Sequence, residues 1–331
     1  YCMKTNLSSQ ITLNRVSPRY YRPENAFERS VLTRLEKIPT DIYESPEEGA
    51  NQIALDIAQM IRDKQKAGRF CVLALAGGNS PRNVYSALVR MHKEEGLSFR
   101  NVVVFNLYEY YPLASDAVNS NLNSLKEMLL DHVDIDMQNV FSPSGTIAKD
   151  TIFEYCRLYE QRIESFGGID IAVLGIGRVG NIGFNEPGSY AKSRTRLVQL
   201  THNTRKIQSG AFFGLENTPK MAVTMGIDTI MRANRIILMA WGEEKAHIVQ
   251  RVVEGEITDQ VPASYLQAHQ NIEVVIDENA AQLLTREQTP WMVGPCEWTP
   301  KFVRKAVVWL CGVVKKPILK LTYKDYIENS L

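Results

Sequence analysis

The chain has 331 residues, 44% hydrophobic and 23% charged, with a formal net charge of +1. This balance is ordinary for a globular protein and holds no sustained basic or acidic block, so it calls for neither nucleic acid nor an anionic membrane surface. The longest apolar run, Ala306 to Val314, is nine residues, far short of the roughly 20 needed to span a membrane as a helix. The length suits one large α/β domain with appendages, or two domains. Cys2, Cys71, Cys156, Cys296 and Cys311 are scattered without C-x-x-C spacing. Such an odd, dispersed set reads as reduced thiols in a cytoplasmic protein, neither a disulfide frame nor a metal site. The polar, arginine-bearing N-terminus carries no signal-peptide pattern.

Tyr1-Cys2 precede Met3, so the first residues shown are expected not to be the natural start. Residues 4–23 have no clear period and are expected to form an extended arm. Residues 24–37 predict a helix with Phe27, Val31, Leu32 and Leu35 on one side. Ser45-Pro46-Glu47-Glu48 is a helix start, with serine as cap and proline at the first helical position. Ile53, Ile57, Met60 and Ile61 mark that helix's buried stripe, which ends near Gly68. Phe70 to Leu75 predicts a buried strand. It feeds Gly77-Gly78-Asn79-Ser80-Pro81, where Ser80 would cap a helix carrying Val84, Leu88 and Met91. A glycine turn opening onto helix amides suits an anion; taken alone it is equally a bare tight turn.

Val102 to Phe105 predicts a second strand, followed by Asn106 to Tyr111, and helical patterns follow at 119–131 and 150–166. Farther on, Arg196 to Leu200, Ala222 to Met225, Arg235 to Trp241 and Ile272 to Ile276 read as strands, with helices at Glu243 to Val253 and Ala263 to His269. Strands alternating with helices imply a largely parallel sheet covered on both faces. Residues 287–331 differ in character, hold an apolar helix near 301–313, and read as an appendage or linker. The divisions are 1–39 (arm and helix), 40–286 (the main domain) and 287–331. There is no internal repeat.

The stretch Ile169 to Pro187, IDIAVLGIGRVGNIGFNEP, organises the rest. An apolar run rich in branched residues leads into Gly175, Gly177 and Gly180 and then Asn185-Glu186-Pro187. Ligands of open α/β sheets bind beyond the carboxyl ends of the strands, so chemistry is expected here. The glycines also satisfy G-x-G-x-x-G, but a dinucleotide site needs a helix directly after the third glycine and an acidic residue about 20 positions on. Gly183, Pro187 and Gly188 interrupt any helix, and Arg194 and Arg196 stand downstream, so the nicotinamide or flavin reading is set aside.

Several motifs then combine: LALAGGNSPRNVY (73–85), SFRNVVVFNLYEYY (98–111), GIGRVGNIGFNEPGS (175–189), SRTRL (193–197), HNTR (202–205) and GEEKA (242–246). In this order and spacing the chain resembles the glucosamine-6-phosphate deaminase/isomerase family from about residue 40 to 285. The resemblance implies a Rossmann-like three-layer αβα fold with a mostly parallel sheet. It also implies conversion of glucosamine 6-phosphate to fructose 6-phosphate and ammonia, with no cofactor and no metal. Gly78 and Ser80 match the glycine-rich phosphate-binding turn, and Gly77, Asn79, Gly175 and Gly177 are assigned with them to phosphate or substrate binding. Arg205 matches the arginine of H-x-T-R and Lys245 the lysine of G-x-x-K-A. Two cations beside a helix terminus suit a phosphate dianion, although each cation alone reads as a solvated surface charge.

The catalytic pattern departs from the family. M-D-E-Y supplies an aspartate base, where this chain has Leu107-Tyr108-Glu109-Tyr110. N-D-G-H supplies an aspartate and a histidine, where this chain has Arg178-Val179-Gly180-Asn181, so only Glu186 remains. Val179 carries no proton and Asn181 does not titrate. A tyrosine of pKa about 10 is phenolate in only about one molecule in a thousand at pH 7. Ser189 and Arg196 match the family's regulatory phosphate site, but Val198 stands where a lysine belongs.

The reading is therefore a sugar-phosphate-binding domain of amino-sugar metabolism whose deaminase chemistry is lost or altered. The alternatives are a working deaminase, with Glu186 and either Glu109 or Tyr108 rebuilding the acid–base set around Asn181, and a non-binding scaffold fused to another enzyme. The resemblance allows for a homo-oligomer and for a fused C-terminal hydrolase domain.

Overall fold

Continuous apolar runs, without the alternation of a one-faced strand, suit a parallel sheet covered on both sides. A computed structural model describes residues 18–114, 116–294, 296 and 298–331. The strands are β1 (Thr40–Tyr43), β2 (Cys71–Leu75), β3 (Val102–Asn106), β4 (Tyr108–Tyr111), β5 (Val140–Phe141), β6 (Ile171–Leu174), β7 (Arg196–Gln199), β8 (Met221–Thr224), β9 (Arg235–Ala240) and β10 (Ile272–Asp277). Seven of them pair in parallel, in the order β1-β10-β9-β6-β2-β3-β5. Successive side chains of one strand enter different cores. Val72 and Ala74 join Val103, Phe105, Ala172 and Leu238 on one face. Cys71, Leu73 and Leu75 join Val102, Val104, Val173 and Met239 on the other. Helices complete both outer layers, giving the three-layer α/β fold.

The helix Pro46–Lys66 begins as its sequence predicts, with Ser45 accepting from the Glu48 amide at 3.2 Å. Its Ile53, Ile57 and Ile61 are buried against the sheet, each contributing about 1.5–3 kcal/mol of apolar burial. The next helix, Arg82–Glu95, is not capped by Ser80; Pro81 holds the cap position without a side-chain hydrogen bond. The Ser80 carbonyl instead accepts from the Trp241 indole at 2.9 Å. The helical pattern at 243–253 divides into a tight turn, Glu243–Lys245, and the helix Ala246–Val253. The pattern at 263–269 is 3₁₀ throughout, Pro262–Ala268.

The strands expected at 196–200 and 222–225 do not join the parallel sheet. They form β7 and β8, which make a separate antiparallel sheet with β4, ordered β4-β8-β7. Leu107 alone separates β3 from β4. Its amide donates to the Leu75 carbonyl and its carbonyl accepts from the Met225 amide, each at 2.9 Å. This joint fixes where residue 108 emerges.

Of the arm expected to be extended, Pro18–Tyr21 is a helical turn, and residues 4–17 lie outside the described residues, as do Tyr1, Cys2 and Met3. The helix expected over 24–37 spans Ala26–Leu32 and buries none of its residues. Of its supposed inner face, Phe27 is 77% exposed, while Val31 and Leu32 are half-buried. The helix Pro300–Val314 packs Phe302, Ala306 and Leu310 inward, and Phe302 meets the Tyr20 ring edge-on at 5.3 Å. Arg286 gathers this side of the molecule. It donates to the Tyr20, Tyr21 and Thr40 carbonyls and pairs with Glu36, and both charged side chains are buried. No helix among the described residues is long and apolar enough to cross a membrane.

Candidate functional site

A cleft of about 310 Å³ opens beyond the carboxyl ends of β2, β3, β6 and β9, where open α/β sheets bind ligands. The turn 76–81, Tyr108, the loop 175–181, the helix His202–Gln208 and Glu244-Lys245 contribute its walls. Gly78 has φ +95°, a conformation only glycine adopts without strain. Gly177 is needed for space, since a Cβ there would lie 1.8 Å from Asn181 Oδ1. The structure thus brings together Gly77, Gly78, Asn79, Ser80, Gly175, Gly177, Tyr108, Asn181 and Lys245.

Lys245 Nζ donates to the Ile176 carbonyl at 2.7 Å. Burial pushes its pKa below the usual lysine value, with Glu244 opposing and Arg178 reinforcing the shift. Lys245 ends a tight turn that follows Gly242, whose amide is held by Asp277 Oδ1 at 2.9 Å. The second cation in the cleft is Arg178, a residue the motif comparison treats only as a departure. It reaches Glu244 at 2.5 Å across the mouth.

Arg205 is placed differently. Its guanidinium donates to the Leu215 and Thr218 carbonyls at 2.9 and 3.2 Å, and it does not line the cleft. Thr204 and Gln208 of the same helix do. With Asn203 and Ile207 they form one helical face turned to the cleft, and nothing in the motifs marks that face.

Tyr108 and Glu109 separate because successive strand residues face opposite ways. The Tyr108 ring lines the cleft and meets Phe184 at 4.4 Å. Burial, helped by the Glu109 charge, pushes its hydroxyl up to about 12. Glu109 turns inward, where its carboxylate accepts from the amides of Tyr110, Asn121 and Leu122 at 2.9–3.0 Å. Burial raises its pKa while those amides oppose the rise. It anchors the start of the helix Asn121–Met128 and does not line the cleft.

Glu186 is also one layer back. Its carboxylate accepts from the Thr201 amide and hydroxyl, at 3.0 and 2.9 Å, and from the Thr204 hydroxyl. Asn181 donates from Nδ2 to the Gly183 carbonyl at 3.1 Å. Val179 lines the cleft at 39% exposure, in a turn closed by the Gly180 amide on the Gly177 carbonyl. Ser189 donates to the Glu186 carbonyl at 2.6 Å, and Arg196 to Asn185 Oδ1 at 2.9 Å. Neither lines the cleft.

This frame of a doubly covered parallel sheet, with glycine turns facing a lysine loop, is that of a three-layer α/β domain with its cleft at the carboxyl ends of the strands. Residues 44–276 match the family model "Glucosamine-6-phosphate isomerases/6-phosphogluconolactonase", and the chain belongs to that family. It is 71% identical over 329 residues to a glucosamine-6-phosphate deaminase-like protein of Bacteroides thetaiotaomicron, a match covering 99% of this chain and 50% of that protein. The chain therefore spans about half the length of that relative. It is 42% identical to glucosamine-6-phosphate deaminase 1 of Bacillus subtilis, over 71% of this chain and 96% of that one. Among solved structures, a monomeric glucosamine-6-phosphate deaminase superposes with a TM-score of 0.71 at 39% identity, over 74% of this chain and all of that one. A 6-phosphogluconolactonase from Trypanosoma brucei shares the fold at a TM-score of 0.61 and 22% identity, over 75% of this chain and 99% of that one.

Proposed function

We propose that this deaminase-like domain binds a sugar phosphate in the cleft and has lost, or altered, the deaminase chemistry. The observation that carries the reading is the cleft wall itself, where the turn 77–80 and Lys245 face Tyr108, Val179 and Asn181. The first set suits a phosphate dianion through Lys245 and the amides of Asn79 and Ser80, while the Gly77 and Gly78 amides donate to Asn121 Oδ1 and Ser124 Oγ at 3.1 and 3.3 Å. The second offers no group that titrates near neutrality, as general acid–base work requires. Arg205 would have to leave the Leu215 and Thr218 carbonyls to join the phosphate. The domain acts in the cytoplasm of an amino-sugar pathway, as its reduced-thiol pattern and family support. The match to only half of the Bacteroides relative supports the further reading that it works beside a second domain, for which a hydrolase is the proposal.

A second reading, a working deaminase, draws on Glu186, which persists beside the cleft-lining Thr204. Calorimetric titration with glucosamine 6-phosphate, run beside an ammonia-release assay, separates the two. Binding without ammonia is the expected result. Ammonia release abolished in Glu186→Gln would establish the second reading. Failure of both binding and release would leave a scaffold domain.

A further inference from the structure

The ionisable side chains lining the cleft are Tyr108, Arg178, Glu244 and Lys245. Glu244 is already taken up, its carboxylate lying 2.5 Å from the Arg178 guanidinium. The two nearest candidates for a free carboxylate are turned away. Glu109 is held by backbone amides and Glu186 by Thr201 and Thr204. Among the described residues the cleft wall therefore carries one uncompensated positive charge, Lys245, and no unpaired acid. Next to it stands an uncharged surface made by Val179 and by the Tyr108 and Phe184 rings, with the Asn181 and Gln208 amides alongside.

We infer that the ligand of this cleft is a sugar phosphate without a free amino group, its sugar bearing an acetamido or hydroxyl substituent where an amino sugar bears an ammonium. The inference rests on the sugar-phosphate reading above. A protonated amine entering the cleft gives up hydration and meets one carboxylate, Glu244, which Arg178 already holds at 2.5 Å, an arrangement that costs free energy unless the charge is paired. The uncompensated charge of Lys245 repels it further. An acetamido group asks for the reverse, apolar contact for its methyl and amide partners for its N–H and C=O. Val179 with the aromatic rings supplies the first; for the second, Asn181, whose Nδ2 donates to the Gly183 carbonyl, keeps Oδ1 to accept, and Gln208, whose Oε1 accepts from the Tyr110 hydroxyl, keeps Nε2 to donate. A hydroxyl is served by the same amides.

The test is calorimetric titration of the chain with inorganic phosphate, glucosamine 6-phosphate, glucose 6-phosphate and N-acetylglucosamine 6-phosphate, at pH 6.5 and pH 9. An amine with a pKa of about 7.7–8.0, the α-amino range, is a cation at the first pH and neutral at the second. At pH 6.5 at least one of the two uncharged-substituent sugars is expected to bind on the order of tenfold tighter than the amine, equivalent to about 1.4 kcal/mol. The gap is expected to close at pH 9. Comparing the two uncharged sugars separates acetamido from hydroxyl recognition. Val179→Asp, in an exposed turn, is expected to shift the preference toward the amine.

Equal or tighter binding of glucosamine 6-phosphate at pH 6.5 overturns the inference and leaves the phosphate site standing. Absence of binding by all four compounds, inorganic phosphate included, overturns the underlying reading and this inference with it.

Discussion

The hydroxyl of Thr204 donates to the carboxylate of Glu186, and of the two only Thr204 reaches the cleft. The glutamate that the motif comparison puts at the centre of the chemistry thus serves the backbone and side chain of the loop behind. In Glu186→Gln one oxygen becomes an amide donor facing donors at Thr201 or Thr204. A buried donor or acceptor left unpaired costs about 1–3 kcal/mol. The urea midpoint should fall accordingly. Unchanged stability combined with loss of a measurable ammonia release would instead make Glu186 an acid–base group.

Glu109 offers a parallel case with a clearer outcome. Glu109→Gln sets an amide donor against the amides of the helix start at Asn121 and Leu122. It also removes a negative charge that favours a helix N-terminus by about 0.3–1 kcal/mol. Destabilisation of about 1–3 kcal/mol is expected, with ligand affinity nearly unchanged in calorimetry, because the carboxylate faces away from the cleft. A large affinity loss at constant stability would contradict this placement.

Lys245→Met removes the one cleft cation with no carboxylate partner among the described residues. A hydrogen bond to a charged group contributes about 1.5–3 kcal/mol, so affinity for inorganic phosphate or a sugar phosphate should fall by at least about tenfold. Arg205→Met loses the bonds that brace Leu215 and Thr218, so its thermal midpoint is expected to drop. Wild-type phosphate affinity in Lys245→Met would remove the main support for the phosphate site.

Stability should also depend on pH through Glu36. Burial pushes its carboxyl from 4.5 up to about 7, with Arg286 opposing. A folded pKa above the unfolded one means that the native state holds a proton the unfolded chain has released. Stability therefore declines as pH rises from about 4.5 to 7. Urea midpoints at pH 5 and pH 7.5 should show the decline. It should flatten in Glu36→Gln, which is expected to be less stable at pH 7.5, where Arg286 loses a charged partner, and close to the parent at pH 5, where Glu36 already holds its proton.

The parallel sheet was legible because runs such as Cys71–Leu75 and Ile171–Leu174 are apolar on both faces, a pattern few other structures require. The start at Ser45 was legible because capping is local chemistry. Assigning Arg196–Gln199 and Met221–Thr224 to a second sheet was not, since short strands do not encode their partners. Ser80 is not the cap because the helix starts at Arg82 with Pro81 at the cap position, one residue later than the Ser-Pro pair suggests. In the cleft, the glycine turn follows from the local sequence, and Lys245 from the motifs that carry the family resemblance. The placement of Arg205 depends on helix phase, because one residue past Thr204 rotates a side chain by about 100°. Arg178 gives no signal in a motif comparison, where a missing letter reads as a loss and not as a new charge.

The joint at Leu107 has a consequence for how such a cleft changes its chemistry. Backbone bonds to Leu75 and Met225 pin the residue before Tyr108, and the Gly177–Gly180 turn carries Val179 in the same way. These bonds involve no side chain at 108, 179 or 181. At 179 the mould is cast in main chain, so that letter can be rewritten without recasting the vessel. At 108 and 181 the side chains are part of the mould, through the Tyr108 ring on Phe184 and the Asn181 amide on the Gly183 carbonyl, so restoring the family's letters there asks the scaffold to close the gaps they leave.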